Sequence, residues 1–509
     1  MILNMFSPQP AHPLADSKEL KRFLSELPLD NAFKAVDEIS GWFDSLHHVG
    51  DLRVDQCFDI VRQLDDAAQP HLRRLVRDYL HSPRLSKTEE RRLWAIQYGY
   101  WGEIASLYSL CIERAGQNGK DRGSEAVKPS LPLAATRLLA ARAAQLKWLE
   151  YRYGPIPGDI WSGLGSAYLS AETAGYANKP VQLYPQQSGM TSVAQQYLQA
   201  LVFSASSMGN LMPLEIELSD RLIARFLPGF VFSADCRVDS VYWVDAAKAS
   251  PPVRLARHPD DLTTTLRFFS PGTAPLALNE LIHLVERGEV PADLNLGGAY
   301  QAKVLLPVLR HLALYWAVQP PQREHPRHSV KTRLAVLHGF DDCFTVFAGE
   351  VARLGKERNA ESWVVENVSR GGFGAGVDDL ANDWLKVGAL LCMQPEGGDN
   401  WVLGVIRRYV KDSGAHANLG IQSLARHAQG VELRPRASGL TVAGSIPGIW
   451  LNEGSVPGEA RLMLPPASFD LRESLEFSHD DRRYLLTPVE LEESCSDFEI
   501  GRYREHAAD

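Results

Sequence analysis

The sequence has no excess of positive charge. Its 53 Lys and Arg stand against 62 Asp and Glu, for a net charge of −9 and a pI of about 6.0. This excludes a general binder of phosphate backbones, which is basic overall, but leaves room for a local basic patch. Paired cysteines are lacking as well. The six present (Cys57, Cys111, Cys236, Cys343, Cys392 and Cys495) are scattered and form no CxxC. Neither a zinc site nor a disulfide framework is indicated, and most read as small core residues. Long apolar runs are missing. The most apolar stretch, "VLLPVLRHLALYWAV" from Val304, contains Arg310 and His311. It is too short and too charged to span a bilayer and reads as a buried helix. The opening "MILNMFSPQPAHP" has neither the basic start nor the apolar length of a signal peptide. These absences predict a cytoplasmic protein without a transmembrane segment.

Catalytic signatures are absent too. There is no HExxH, no GxSxG and no Cys–His pair in a recognisable local setting. Asp341-Asp342 and Asp378-Asp379 fall in expected turns, without the His or third carboxylate that a metal site needs. No enzyme, cofactor or metal is predicted. Two glycine stretches resemble nucleotide loops and fail as such. In "ENVSRGGFGAG", Glu366 to Gly376, the glycines at 372, 374 and 376 alternate instead of following GxGxxG. No βαβ unit surrounds them, and no Gly-Lys-Ser/Thr follows. "EGGDNW", Glu396 to Trp401, shares Gly-Gly-Asp with the diguanylate cyclase signature but lacks the next acidic residue. It reads as a hairpin turn.

What is present is organised in blocks. At roughly 100–200 residues per domain, 509 residues suggest three or four domains. Residues 1–226 read as a helical domain. Val54, Cys57, Phe58, Val61 and Leu64 form one apolar helical stripe. Ser86 and Glu89 form a capping-box pattern ahead of Leu93, Ile96, Tyr100 and Ile104. "GQNGKDRGSEAVKPS", from Gly116, reads as an exposed loop. "WSGLGSAY", from Trp161, matches a tetratricopeptide-repeat opening in a single copy, which favours a plain helical hairpin. Residues 227–320 read as a mixed α+β segment, with strands up to about Phe269 and two helices, Leu276–Arg287 and Ala299–Val318. "QPPQREHPRHS" marks a boundary. Six runs in residues 321–428 ("TRLAVLHGF", "CFTVFAG", "SWVVENVS", "ALLCMQP", "WVLGVIRRYV", "ANLGIQSL") read as strands of a small antiparallel barrel or sandwich. Residues 429–509 read as an additional β module. The fold class is multidomain α+β.

One constellation survives scrutiny. Arg323 and Arg327 stand four apart, directly before the first barrel strand. Asn367, Ser369 and Gly372 form N-x-S-x-x-G directly after another strand, about forty residues on. Each half is common by chance; the pair in this order is not. Together they resemble the PilZ domain, the cyclic di-GMP receptor module, over roughly Arg323–Arg426. The resemblance implies a small β-barrel that binds cyclic di-GMP through Arg323, Arg327, Asn367, Ser369 and Gly372, with Arg370 a further cation nearby. It also implies a bacterial effector acting on motility, pili, exopolysaccharide or biofilm.

The chemistry fits on its own terms. Arg presents a planar fork suited to phosphate and to the O6/N7 edge of guanine. Asn donates and accepts toward a base edge, Ser adds a hydroxyl, and Gly permits close backbone approach. The bland alternatives are solvated linker arginines and an Asx-turn at Asn367. The competing functional reading is a helical adaptor whose barrel binds no nucleotide. A single-strand nucleic-acid binder is disfavoured by the acidic total and by the lack of an aromatic–basic strand face. The helical region is the expected docking surface for a protein partner.

Overall fold

The computed structural model describes residues 12–82, 85–116, 121–259, 261–319, 325–350, 360–378, 384–412, 414, 416–436, 444–451, 456–480 and 482–508. They fall into two compact units. The first comprises Ile156–Met208 with the described residues before 153 and those from 213 to 319. The second comprises Tyr153–Pro155, Gly209–Met212 and the described residues from 325 onward.

The first unit begins with nine helices: α1 Ser17–Glu26, α2 Ala32–His47, α3 Val54–His81, α4 Lys87–Gly116, α5 Ser124–Val127, α6 Leu131–Glu150, α7 Gly158–Thr173, α8 Val193–Ala205 and α9 Pro213–Phe226. Side-chain caps start several of them. Asn31 accepts from the Lys34 N–H, and Ser192 from the Gln195 N–H. At α4 the capping box closes reciprocally. The Glu89 N–H donates to the Ser86 hydroxyl at 3.2 Å, and the Ser86 N–H donates to the Glu89 carboxylate at 3.1 Å. The stripe from Val54 to Leu64 is buried and shares one core with Ile39, Phe43, Tyr100 and Ile104. The polar stretch after Gly116 holds the short helix α5, so it is not all loop. Helix α7 buries Trp161, Leu164, Gly165 and Tyr168. A Cβ on Gly165 would lie 1.9 Å from the Ala246 carbonyl oxygen, so glycine lets a backbone segment close in on the helix there.

The helical core holds a buried polar cluster. The Asp65 carboxylate accepts from the hydroxyls of Tyr100 (2.9 Å) and Tyr108 (2.8 Å), from Gln69 (2.9 Å) and from the Arg137 guanidinium (3.2 Å). Arg137 also donates to Asp66 at 2.6 Å and to the Leu183 carbonyl at 2.9 Å. Burial pushes the Asp65 carboxyl above the usual carboxylate range, against the pull of Arg137.

The rest of this unit is an antiparallel sheet in the order β1-β4-β2-β3 (β1 Val231–Ser233, β2 Tyr242–Asp245, β3 Val253–Arg254, β4 Leu266–Ser270), followed by helices α10 Ala274–Glu286 and α11 Ala302–Trp316. Helix α11 takes in the apolar run from Val304 as far as Trp316 and buries one face of it (Leu305, Val308, Leu309, Leu312 and Trp316), while Leu314 is exposed, so the expected buried helix is buried on one side. Among the described residues no helix is long and apolar enough to cross a membrane.

His311 on α11 donates from Nε2 to the Ser206 carbonyl at 2.6 Å. Burial pushes its imidazole down to about 4, against the opposing pull of that bond. The fold therefore favours the neutral ring. Its contribution is complete above the unfolded value of about 6.5 and is lost as pH falls from there towards about 4. Between pH 7 and pH 4.5 the loss expected from this group is about 2 kcal/mol. Urea denaturation of the native chain and of His311→Gln checks it: the variant should lose less stability on acidification. Equal losses would assign the acid sensitivity to other groups.

The second unit contains two closed six-stranded antiparallel barrels. The first, ordered β10-β7-β6-β5-β8-β9, uses β5 His328–His338, β6 Glu361–Ser369, β7 Gly372–Asp378, β8 Leu390–Pro395, β9 Val402–Lys411 and β10 His416–Ala425. The second, ordered β11-β12-β13-β16-β15-β14, uses β11 Ala428–Pro435, β12 Ile446–Leu451, β13 Glu459–Leu464, β14 Leu475–His479, β15 Arg482–Ser494 and β16 Glu499–Ala508. The run "CFTVFAG", expected as a strand, lies mostly in helix α12, Phe340–Phe347, and Asp341-Asp342 open that helix instead of a turn. Phe340, Cys343 and Val346 recur every three residues and bury one helical face, which overrides the β-propensity of the stretch. The sixth strand of the first barrel is β7, formed by the glycine stretch itself.

Inward residues of the first barrel (among them Val336, Trp363, Val365, Ala375, Ile406 and Ile421) make one core. A second core joins the two barrels. Leu390, Leu403 and Val405 of the first meet Ile449, Met463 and Ile500 of the second around α12.

Candidate functional site

Strand alternation decides which way the motif faces. On β7, Phe373, Ala375 and Val377 pack against the barrel core, so Gly372, Gly374 and Gly376 face outward. Asn367 pairs with Gly374 and Ser369 with Gly372, which puts both on the outer face. A register shift between Val365 and Asn367 makes this possible. Without it, the inward alternation of Trp363 and Val365 would carry Asn367 into the core. Arg370 and Gly371 form the two-residue tip joining β6 to β7, and Arg370 is exposed.

The glycines make room for neighbours. A Cβ on Gly372 would lie 1.9 Å from the Ile421 carbonyl oxygen of β10, so its close backbone approach is to the adjacent strand. A Cβ on Gly374 would lie 2.5 Å from Nδ2 of Asn367: the amide lies flat across the strand in space that glycine leaves open. His416 occupies the corresponding space over Gly376. Gly374 and Gly376 thus each accommodate a polar side chain. One row of the outer face then reads Ser329, Asn367, Gly374, Gly420, Arg408 across β5, β6, β7, β10 and β9. Its centre carries no side chain of its own, and an amide and a guanidinium-bearing residue border it.

Arg327 stands one residue before β5 and is exposed. β5 pairs His328 with Val368 and Ser329 with Asn367, so the segment bearing Arg327 starts beside the Asn367–Ser369 end of β6. His325 lies against the hairpin tip, its ring carbon 3.4 Å from where a Cβ on Gly371 would sit. Asn367, Ser369, Arg370 and Gly372 therefore share one hairpin, and Arg327 leads into its neighbouring strand. Arg323 lies outside the described residues.

Several further residues border this face. Gln422 of β10 pairs with Gly372. Arg407 of β9 donates from Nε to Gln422 at 2.7 Å and, through both terminal nitrogens, to Glu493 of the second barrel at 2.5 and 2.8 Å. Burial pushes the Glu493 carboxyl up, but the hydrogen bonds and charge of Arg407 hold it below the usual range. Arg426 donates to the Arg370 carbonyl at 3.5 Å. The sequence signal for this rim was the pair Arg407-Arg408 on a predicted strand and Gly420 within the next. Arg407 alone reads as an ordinary surface residue.

The face gathers cations, amides and a hydroxyl around a flat backbone floor. Among the described residues no group of three His, Cys, Asp or Glu could hold a metal ion. In comparisons with known proteins, the family described as "Cyclic-di-GMP receptor FimW, N-terminal domain" matches residues 18–235, from α1 to β1. No curated protein matches the chain.

Proposed function

We propose that this chain is a cyclic di-GMP effector that binds the dinucleotide on the outer face of the β5–β10 barrel. The observation that carries the reading is convergence. Residues 18–235 match a family described as the N-terminal domain of a cyclic di-GMP receptor. The non-overlapping stretch 323–426 bears the paired motif that resembles PilZ. In this reading Arg323 and Arg327 close on the phosphates and guanine edges, Asn367 and Ser369 meet a base, and the glycine floor lets the ligand lie close. Arg370 adds positive charge at the rim. Charge-assisted arginine–phosphate bonds contribute about 1.5–3 kcal/mol each. Drawing the arginine segment onto the barrel changes what the helical region offers a protein partner.

Calorimetric titration with cyclic di-GMP, alongside GTP and a short oligonucleotide, tests the reading. Saturable heat is expected for cyclic di-GMP alone. Arg323→Ala with Arg327→Ala should weaken it by at least about 2 kcal/mol, some thirtyfold. No saturable heat at tens of micromolar would leave a helical adaptor with a nucleotide-free barrel. Unchanged affinity in the double variant would place the site elsewhere.

A further inference from the structure

The outer face of the first barrel carries a further side chain whose hydrogen bonding is only half used. Gln422 of β10 is exposed and pairs with Gly372, which pairs on its other side with Ser369. Ser369, Gly372 and Gln422 thus form a row across β6, β7 and β10, next to the row of Asn367, Gly374 and Gly420. Neighbouring strands lie about 4.8 Å apart, so Ser369 and Gln422 stand about 10 Å from one another across a residue without a side chain. That is room for one purine.

Arg407 decides which end of the Gln422 amide is left over. The register shift between Gly420 and Ile421 makes Arg407 the extra residue of β9, between Ile406, which pairs with Ile421, and Arg408, which pairs with Gly420. Its Nε donates to Gln422 Oε1 at 2.7 Å, and its terminal nitrogens donate to Glu493 of the second barrel at 2.5 and 2.8 Å. A guanidinium only donates, so the amide must meet it with its oxygen. The Nε2 end, with two N–H donors, has no hydrogen-bond partner among the described residues.

On the reading that cyclic di-GMP binds this face, we infer that Gln422 selects guanine over adenine and that Arg407 is the residue that positions it. An amide reduced to its donors suits guanine, whose O6 and N7 both accept. Adenine keeps the N7 acceptor but carries the N6 amine where guanine has O6, so donor would face donor. A loose glutamine serves either base, because it can turn its oxygen to the amine. Gln422 can do so only by giving up its bond to Arg407. The fork of Arg407 is engaged by Glu493, so Arg407 acts through Gln422 and not on the ligand.

Competition titration of the full chain tests this, with cyclic di-GMP and cyclic di-AMP as the two probes. The native chain should prefer cyclic di-GMP by about tenfold or more. Gln422→Ala, at an exposed position, should lose about tenfold in cyclic di-GMP affinity while cyclic di-AMP holds or gains. Arg407→Ala should narrow the preference by a gain for cyclic di-AMP, since the amide is then able to turn. A merely structural role for Arg407 would lower both affinities alike, and that result would remove it as the positioning residue. An unchanged ratio in Gln422→Ala, with cyclic di-GMP still bound and still sensitive to Arg323→Ala with Arg327→Ala, would overturn the inference and leave the barrel reading standing. No saturable binding of cyclic di-GMP by the native chain would overturn both.

Discussion

Arg137→Ala is expected to destabilise the helical unit by about 3–5 kcal/mol, because it removes one partner of a buried ion pair. Arg137 is 2% exposed and Asp65 fully buried. The guanidinium is the only cation among the groups that bond Asp65, and it also reaches Asp66, the Tyr108 hydroxyl and the Leu183 carbonyl. Deleting it leaves the buried Asp65 carboxylate without a cation, uncovers the Leu183 carbonyl and empties the volume of a long side chain, while Asp66 keeps Arg62 at 3.3 Å. The tyrosine hydroxyls cannot replace it, since they offer dipoles where a charge stood. Arg137→Lys should recover only part of the loss, because a single ammonium cannot reproduce the fork that reaches separate acceptors. Urea denaturation followed by far-ultraviolet circular dichroism measures it. A loss below about 1 kcal/mol for Arg137→Ala would show that the cluster is already close to neutral without its cation.

The second large effect is expected at Gly372→Ala, with the adjacent Gly371→Ala as its contrast. A methyl at position 372 meets the Ile421 carbonyl oxygen at 1.9 Å, and that oxygen belongs to a backbone held in strand pairing on both sides. The chain can relieve the clash only by parting β7 from β10 where Gln422 pairs with Gly372. Forced overpacking of this kind costs about 3 kcal/mol. At 371 a methyl meets only the His325 ring, at 3.4 Å, which is ordinary contact. Gly371→Ala should therefore stay within about 0.5 kcal/mol of the native chain. In the proposed reading, only the first variant also loses cyclic di-GMP. Thermal melts of both variants with and without the dinucleotide decide it. Comparable stability in the two would mean that β10 yields at that point and that the glycine is there for another reason.

Much of the architecture was legible because local chemistry and tertiary packing agree. The Ser86–Glu89 box, the stripe from Val54 to Leu64 and the alternation in β6 and β9 each point to the element that forms. Disagreement explains the failures. In α12, Phe and Val at short spacing satisfy a strand pattern and a helix pattern equally, and only the core between the barrels selects the helix. In β7, the residue type is one depleted in strands, so the glycine stretch carries no strand signal. Its pairing with β6 and β10 is a property of neighbours about ten and about forty-five residues away. The outer-face role of Asn367 and Ser369 depends on a one-residue shift in register, which leaves no mark in the residue types. The Asp65–Arg137 cluster draws residues from α3, α4, α6 and Tyr184, and no spacing rule connects them.

The core shared by the two barrels has a consequence for linkage. Leu390, Leu403 and Val405 face outward from the first barrel, and Ile449, Met463 and Ile500 are buried with them. Neither barrel can open alone without wetting the other's apolar surface, so the two should unfold in one cooperative step. Free energy supplied by a ligand on one barrel is then shared by both, since whatever binds the folded state stabilises everything that melts with it. The second barrel would register occupancy of the first while touching no ligand.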